Sequence, residues 1–246
     1  MLPRPAQLLR TLLPAALCLG TGGVAADLTP WAGAPGAEPT LPWRFAGLPA
    51  QTLPRTHYSL VETEGALSLR IEAQASYGNL LHPTDSTPGQ LQWQWRVERF
   101  AASTDLRTKA GDDTTVKVCA LFDHPLERVP FVERQLLRLA RSRSGEDLPA
   151  ATLCYVWDTG LAAGTLIDNA YSRRVRYLVL RGGEAVPTPW QRESRDLAAD
   201  FLRAFGDETT QAPRLRAIAV GADTDNTGSQ ALAFVRGLQH RPGGPE

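Results

Sequence analysis

The segment QLQWQWRVERF, residues 90–100, alternates without interruption: Leu91, Trp93, Trp95 and Val97 fall on one side, Gln92, Gln94, Arg96 and Glu98 on the other. Successive side chains of a strand point to opposite faces, so the pattern specifies a β-strand with two indoles turned to a core. A helix would scatter the same residues around its circumference. Those indoles need a second layer to cover them, and the chain supplies strands far more often than helices.

HYSLVETEGALSLRIEAQ reads as two β runs about a Glu64–Gly65 turn, a strong hairpin signal. TTVKVCALFD, ATLCYVWD, RRVRYLVLRGG, RLRAIAVGAD and QALAFVRGL read as further strands. Two helices interrupt them. LERVPFVERQLLRLARSR carries apolar Val132, Leu136, Leu137 and Leu139 among arginines, as expected of an amphipathic insert on the surface. SRDLAADFLRAFG places Leu197, Phe201, Leu202 and Phe205 on one face, Ser194 or Asp196 at a capping position, and Gly206 at the stop. Strands so rarely separated by helices argue against a parallel βαβ sheet. The fold class is mainly β: a two-sheet antiparallel sandwich of jelly-roll type with two peripheral helices.

The ends set the context. Arg4 and Arg10, the apolar run TLLPAALCLG and the small residues Val24 and Ala26 make residues 1–26 a secretory signal, cut after Ala26. The apolar run is well short of the roughly 20 residues a membrane span requires, and no other segment replaces it, so no span is expected after cleavage. Residues 27–41, rich in Pro, Gly and Ala, read as a flexible leader; 42–240 form a single domain and 241–246 a tail. The expected location is periplasmic or secreted. Basic and acidic residues balance at 26 each, which leaves no electrostatic footprint for nucleic acid. Only Cys119 and Cys154 survive cleavage, each within an apolar run; they are either a disulfide, as an oxidising compartment allows, or two small buried residues.

The ordered segments WQWRVERF, RTKAGDDTTVKVCALFD, LCYVWDTGLAAGT, RDLAADFLRAFG and AIAVGADTDNTGSQALAFV resemble the bacterial exported family known as domain of unknown function 3047, from about Trp43 to Leu238. The resemblance implies a secreted β-sandwich similar to galactose-binding-like and carbohydrate-binding modules, and no assigned reaction. The helical insert at 125–150 stands where family members commonly have a shorter connection.

Several polar constellations are candidate ligand sites. In GADTDNTGSQALAF, Asp223, Asp225, Thr227 and Gly228 sit where an EF-hand loop begins, but position twelve is Phe234 and the flanks are β runs, which excludes an EF-hand. The stretch is then a strand connection whose Asp and Thr side chains bond their own backbone, or a calcium site completed by distant oxygens. No other cofactor is indicated. Two carboxylates so close repel unless compensated, and Arg176 or Arg195 is the expected compensator. Asp112 and Asp113 open a strand after Lys109; next to Asp223 and Asp225 they would bind a ligand or divide acid and base roles, otherwise they are a turn and a solvated strand start. Asn169, Arg176, Glu193 and Asn226 complete the candidate ligand-binding set, against a reading as capping and surface ion pairs. Trp93, Trp95, Tyr155 and Trp157 are core packing or a sugar platform, with Trp157 the best exposed candidate because Asp158, Thr159 and Gly160 end its strand.

Three functions compete. The first is non-catalytic binding of glycan or cell-envelope material, argued partly by fold analogy. The second is a carbohydrate-active hydrolase or lyase using Asp112, Asp113, Glu193, Asp223 and Asp225. The third is a periplasmic assembly or interaction protein. An enzyme needs acids converging in an open cleft, a binder needs a lined groove, and an assembly factor needs an apolar patch. The oligomeric state is not legible.

Overall fold

A computed structural model describes residues 28–48, 50–144, 147–183 and 187–244, so the expected signal segment lies outside the described residues. Twelve strands and two helices follow the order β1 (Arg44–Ala46), β2 (His57–Thr63), β3 (Ala66–Gln74), β4 (Asn79–Ser86), β5 (Gln90–Arg99), β6 (Lys117–Phe122), α1 (Phe131–Ser144), β7 (Ala151–Trp157), β8 (Leu166–Asp168), β9 (Val175–Arg181), β10 (Gln191–Asp196), α2 (Leu197–Phe205), β11 (Leu215–Gly221) and β12 (Gln230–Arg241). They form a seven-stranded sheet, β1-β4-β11-β6-β7-β9-β8, and a five-stranded sheet, β10-β5-β12-β3-β2. The fold is mainly β, a two-sheet sandwich. Every pair is antiparallel except β7 with β9, which run parallel because β8 intervenes and takes the outer place beside β9.

The alternation in β5 decides the sandwich. Leu91, Trp93, Trp95 and Val97 are buried against the opposite sheet, where Trp93 meets Tyr155 at 5.4 Å and Trp95 meets Trp157 at 5.8 Å between ring centroids. Arg96 goes to the other face, stacked over Phe234 at 4.6 Å. The β2–β3 turn has Glu64 and Gly65 both at positive φ (52° and 73°), the backbone of a two-residue hairpin. Side chain Asp196 caps α2, accepting from Ala198 N and Ala199 N, and Phe201 and Phe205 close the sandwich over Phe122.

Two expectations change. Residues 28–41 do not behave as a flexible leader: Leu28 and Trp31 are buried, Trp31 packs on Trp43 at 4.2 Å, and Gly36 and Ala37 exchange backbone bonds with Leu60 on edge strand β2. The segment thereby covers a sheet edge that would otherwise present free amides. The second change concerns α1, whose polar side faces the protein. Glu133 pairs with Arg173 and Arg174, and Arg141 donates to the Leu148 carbonyl, while Leu137 alone of the four expected apolar positions is buried.

Candidate functional site

Cys119 and Cys154 stand directly opposite in the β6–β7 register and form a disulfide on the outer side of the seven-stranded sheet. Above that side, the segment leading into β6 brings Asp112 and Asp113 to the β11–β12 connection. Gly221 ends β11 and Gln230 begins β12, as the sequence implies. The two strands lie in different sheets, however, so the stretch is a crossover at the end of the sandwich and not a hairpin turn.

Asp113 and Asp223 are fully engaged, while Asp112 and Asp225 each keep one buried oxygen without a hydrogen bond among the described residues. Asp223 accepts from the Thr114 amide (2.8 Å), the Thr114 hydroxyl and Lys117 Nζ (2.7 Å). Its compensator is therefore Lys117. The two arginines expected in that role are engaged elsewhere: Arg176 with Asp168, Asp207 and Glu208, and Arg195 with Asp200. Burial alone would push the Lys117 ammonium down, but the Asp223 carboxylate, joined by Tyr77 and Asp112, outweighs it and holds it above the usual lysine range. Asp113 accepts from the amides of Asn226 and Thr227, from Asn226 Nδ2 and from the Thr227 hydroxyl, which fixes the turn.

Asp112 Oδ2 accepts from Asn169 Nδ2, which also donates to Tyr177 Oη. Burial first, then the Asp223 charge, pushes the Asp112 carboxyl up to about 6. The same two causes, with Asp113 added, raise Asp225. Tyr171 donates to Asn226 Oδ1 at 2.6 Å and packs its ring beside Lys109 Nζ. Asp112, Asp113, Asp223, Asp225, Asn169 and Asn226 thus come together, one of the two arrangements the sequence left open, while Trp157 and Arg176 lie apart from them. Glu193 does not join them: on β10 it accepts from Trp95 Nε1 (3.0 Å) and Arg181 Nε (2.7 Å).

Exposure decides what this cluster can do. Asp112, Asp113 and Asp223 are 4%, 1% and 4% exposed, so a saccharide cannot touch them without opening the loops. Among the described residues no group of three or more His, Cys, Asp or Glu has the geometry to hold a metal ion. The acids act first as a polar knot that ties the crossover to the entrance of β6. The sugar-platform reading of the four aromatics fails for the same reason. Trp93, Trp95 and Tyr155 are completely covered and Trp157, expected to be the exposed ring, is 7% exposed. Strand β7 is buried along its whole length, so the turn after Trp157 does not open its ring to solvent.

An open groove of about 460 Å³ lies elsewhere, where β12 parts from β3. The β12–β3 ladder stops at Val235↔Leu69, and the register between β12 and β5 shifts after Arg236, with Gly237 at φ 60°. That bulge separates the strands and leaves Ala66 and Leu67 facing Arg236, Leu238 and Gln239 across a gap. Gln94 and Glu64 line it too, and Trp31 and Pro30 come from the N-terminal segment. Arg236 is held by Gln94 Oε1, the Thr63 carbonyl and Glu64 Oε2, and its guanidinium lies 4.0 Å from the Trp190 ring centroid. Trp190 Nε1 is buried with no hydrogen-bond partner among the described residues. Sequence reasoning missed this place. The one available signal was a half-buried Trp190 after Pro189 in a Pro-rich connection; its neighbours Arg96 and Arg236 are far away in the chain.

A family model described as "Protein of unknown function (DUF3047)" matches residues 42–239. No curated protein matches the chain. Among solved structures, that of TmCBM61 in complex with β-1,4-galactotriose is similar at 8% identity and a TM-score of 0.33, covering 88% of this chain and 100% of that one.

Proposed function

The chain belongs to the DUF3047 family, and we propose that it is a non-catalytic binding domain for glycan or other polyhydroxylated cell-envelope material, exported to the periplasm or beyond. The observation that carries this reading is the groove at the β12 bulge. Its volume suits a small-molecule or oligosaccharide ligand. Its polar groups are of every kind a hydroxyl-rich ligand needs: Arg236 donates, Glu64 accepts, and Gln94 and Gln239 do both. Ala66, Leu67 and Leu238 supply apolar surface for the C–H side of a pyranose. Arg236 is already fixed by three oxygen partners, so little side-chain ordering is left to oppose binding.

A hydrolase reading is less well supported: Asp113 and Asp223 are spent on internal bonds, Glu193 stands on another strand, and Asp112, which keeps one oxygen unbonded among the described residues, is 4% exposed. The test is a panel of neutral and acidic oligosaccharides titrated calorimetrically against the parent, Arg236→Ala and Gln239→Ala. Loss of charge-assisted bonds predicts binding weaker by about tenfold or more for Arg236→Ala. No new reducing ends are expected on prolonged incubation. Variants that bind as the parent does, or saccharide cleavage that disappears in Asp112→Asn, contradict the proposal.

A further inference from the structure

Helix α1 presents to solvent the side that a surface helix ordinarily buries. Phe131 and Val132 are 67% exposed, Leu136 61% and Leu139 47%. Val132, Leu136 and Leu139 are spaced by four and three residues, so they form one continuous stripe, with Phe131 beside it. The opposite side is fixed to the body of the protein by Glu133 with Arg173 and Arg174, by Arg141 with Asp147 and the Leu148 carbonyl, and by Leu137 packed on Val129 and Ala150. The polarity is thus inverted by ion pairs and not by fraying. Rotating the helix to bury the stripe would take Glu133 away from Arg173 and Arg174, though Arg174 would keep Glu208.

The charges around the stripe indicate its occupant. Residues 131–144 hold Arg134, Arg138, Arg141 and Arg143 against Glu133 alone. Arg138 and Arg143 are exposed and enter no ion pair among the described residues. An apolar stripe flanked by arginines that have no ion-pair partner among the described residues, on a helix too short and too polar to span, is the composition of an interfacial helix. We propose that α1 docks this protein on the surface of an anionic phospholipid bilayer, with Phe131, Val132, Leu136 and Leu139 entering the headgroup–acyl boundary and Arg138 and Arg143 meeting phosphates. A second copy of the chain fits less well. Antiparallel α1 helices packed on the stripe would bring unpaired arginines together, and four side chains present much less area than the roughly 800 Å² each partner of a stable complex contributes.

The experiment is co-sedimentation of the full chain with phosphatidylglycerol–phosphatidylcholine vesicles, about 3:7, and with phosphatidylcholine alone, for the parent, Leu136→Glu/Leu139→Glu and Arg138→Glu/Arg143→Glu. The apolar residues 11–20 are common to all three, so the difference between parent and variants is the readout. Both double variants should weaken binding to anionic vesicles by about tenfold. For Arg138→Glu/Arg143→Glu the difference should shrink at high salt and vanish on neutral vesicles, whereas for Leu136→Glu/Leu139→Glu, which loses apolar burial, it should persist in part under both conditions. Melting temperatures should be unchanged, since the substituted side chains touch solvent. Equal binding by parent and variants overturns the proposal. So does a parent dimer in sedimentation velocity that Leu136→Glu dissolves without any effect on vesicle binding.

Discussion

Lys117 and Asp223 show how a residue identified as a candidate ligand group can be a structural one. Both side chains are nearly fully buried at 2.7 Å, and Asp223 is the dominant opposite charge on Lys117, with Asp112 a weaker one. Removing one partner leaves an uncompensated buried charge, so Lys117→Met should lower stability by about 3–5 kcal/mol, while Lys117→Met/Asp223→Asn should recover a large part. Urea midpoints measure both; equal loss in the single and double variants contradicts the pairing. Asp112 gives the opposite pH signature. Its folded carboxyl titrates near 6, above the ordinary 3.8, so between those values the folded state keeps a proton the unfolded chain has lost. Stability therefore falls as pH rises through that window. Asn can still accept from Asn169, so Asp112→Asn should match the parent below about pH 4 and exceed it increasingly up to about pH 6. A difference that stays constant with pH would show that Asp112 does not carry the proton. At this scale the sequence was informative where parity alone decides. Trp93 and Trp95 had to share a face; Trp157 and Arg176 were misplaced because burial of β7 and the ion-pair partners of Arg176 come from distant segments.

Among the elements, boundaries were more legible than partners. Gly221 and Gln230 mark the strand ends, because Asn226 and Gly228 interrupt the β pattern between them; that β11 and β12 belong to opposite sheets depends on pairing with strands far away in the chain. The β7–β9 parallel pair was hidden because the strand between them, β8, is only three residues long and takes the outer place beside β9. The disulfide, by contrast, lay within two readable apolar runs. It closes a loop of 35 residues, for which chain-entropy reasoning gives about 3–4 kcal/mol. Cys119→Ala/Cys154→Ala should lose roughly that amount, and the parent under reducing conditions should fall to the same midpoint; a variant as stable as the oxidised parent would contradict it. Helix α1 was legible in period but not in direction, since Glu133 finds its arginines on the segment before β9.

For the whole molecule, the sandwich separates two kinds of polar ground. One end is sealed by the Asp113, Asp223 and Lys117 knot, and the β12 bulge opens a groove against the β2–β3 hairpin. The groove was not legible because it is made by a strand departure: Ala66, Gln94 and Gln239 are unremarkable in their own segments and line one groove only where the ladder ends at Val235. The central claim is that ligand enters there. A chemical-shift map of the isotope-labelled protein, titrated with oligosaccharides that bind in the calorimetric panel, tests it most directly. The account predicts shifts at the Trp190 indole N–H and at the amides of Gln94, Arg236, Gly237 and Gln239, with those of Asp112, Asp113 and Asp223 unmoved. Shifts centred on the acid cluster, with the groove silent, would contradict it.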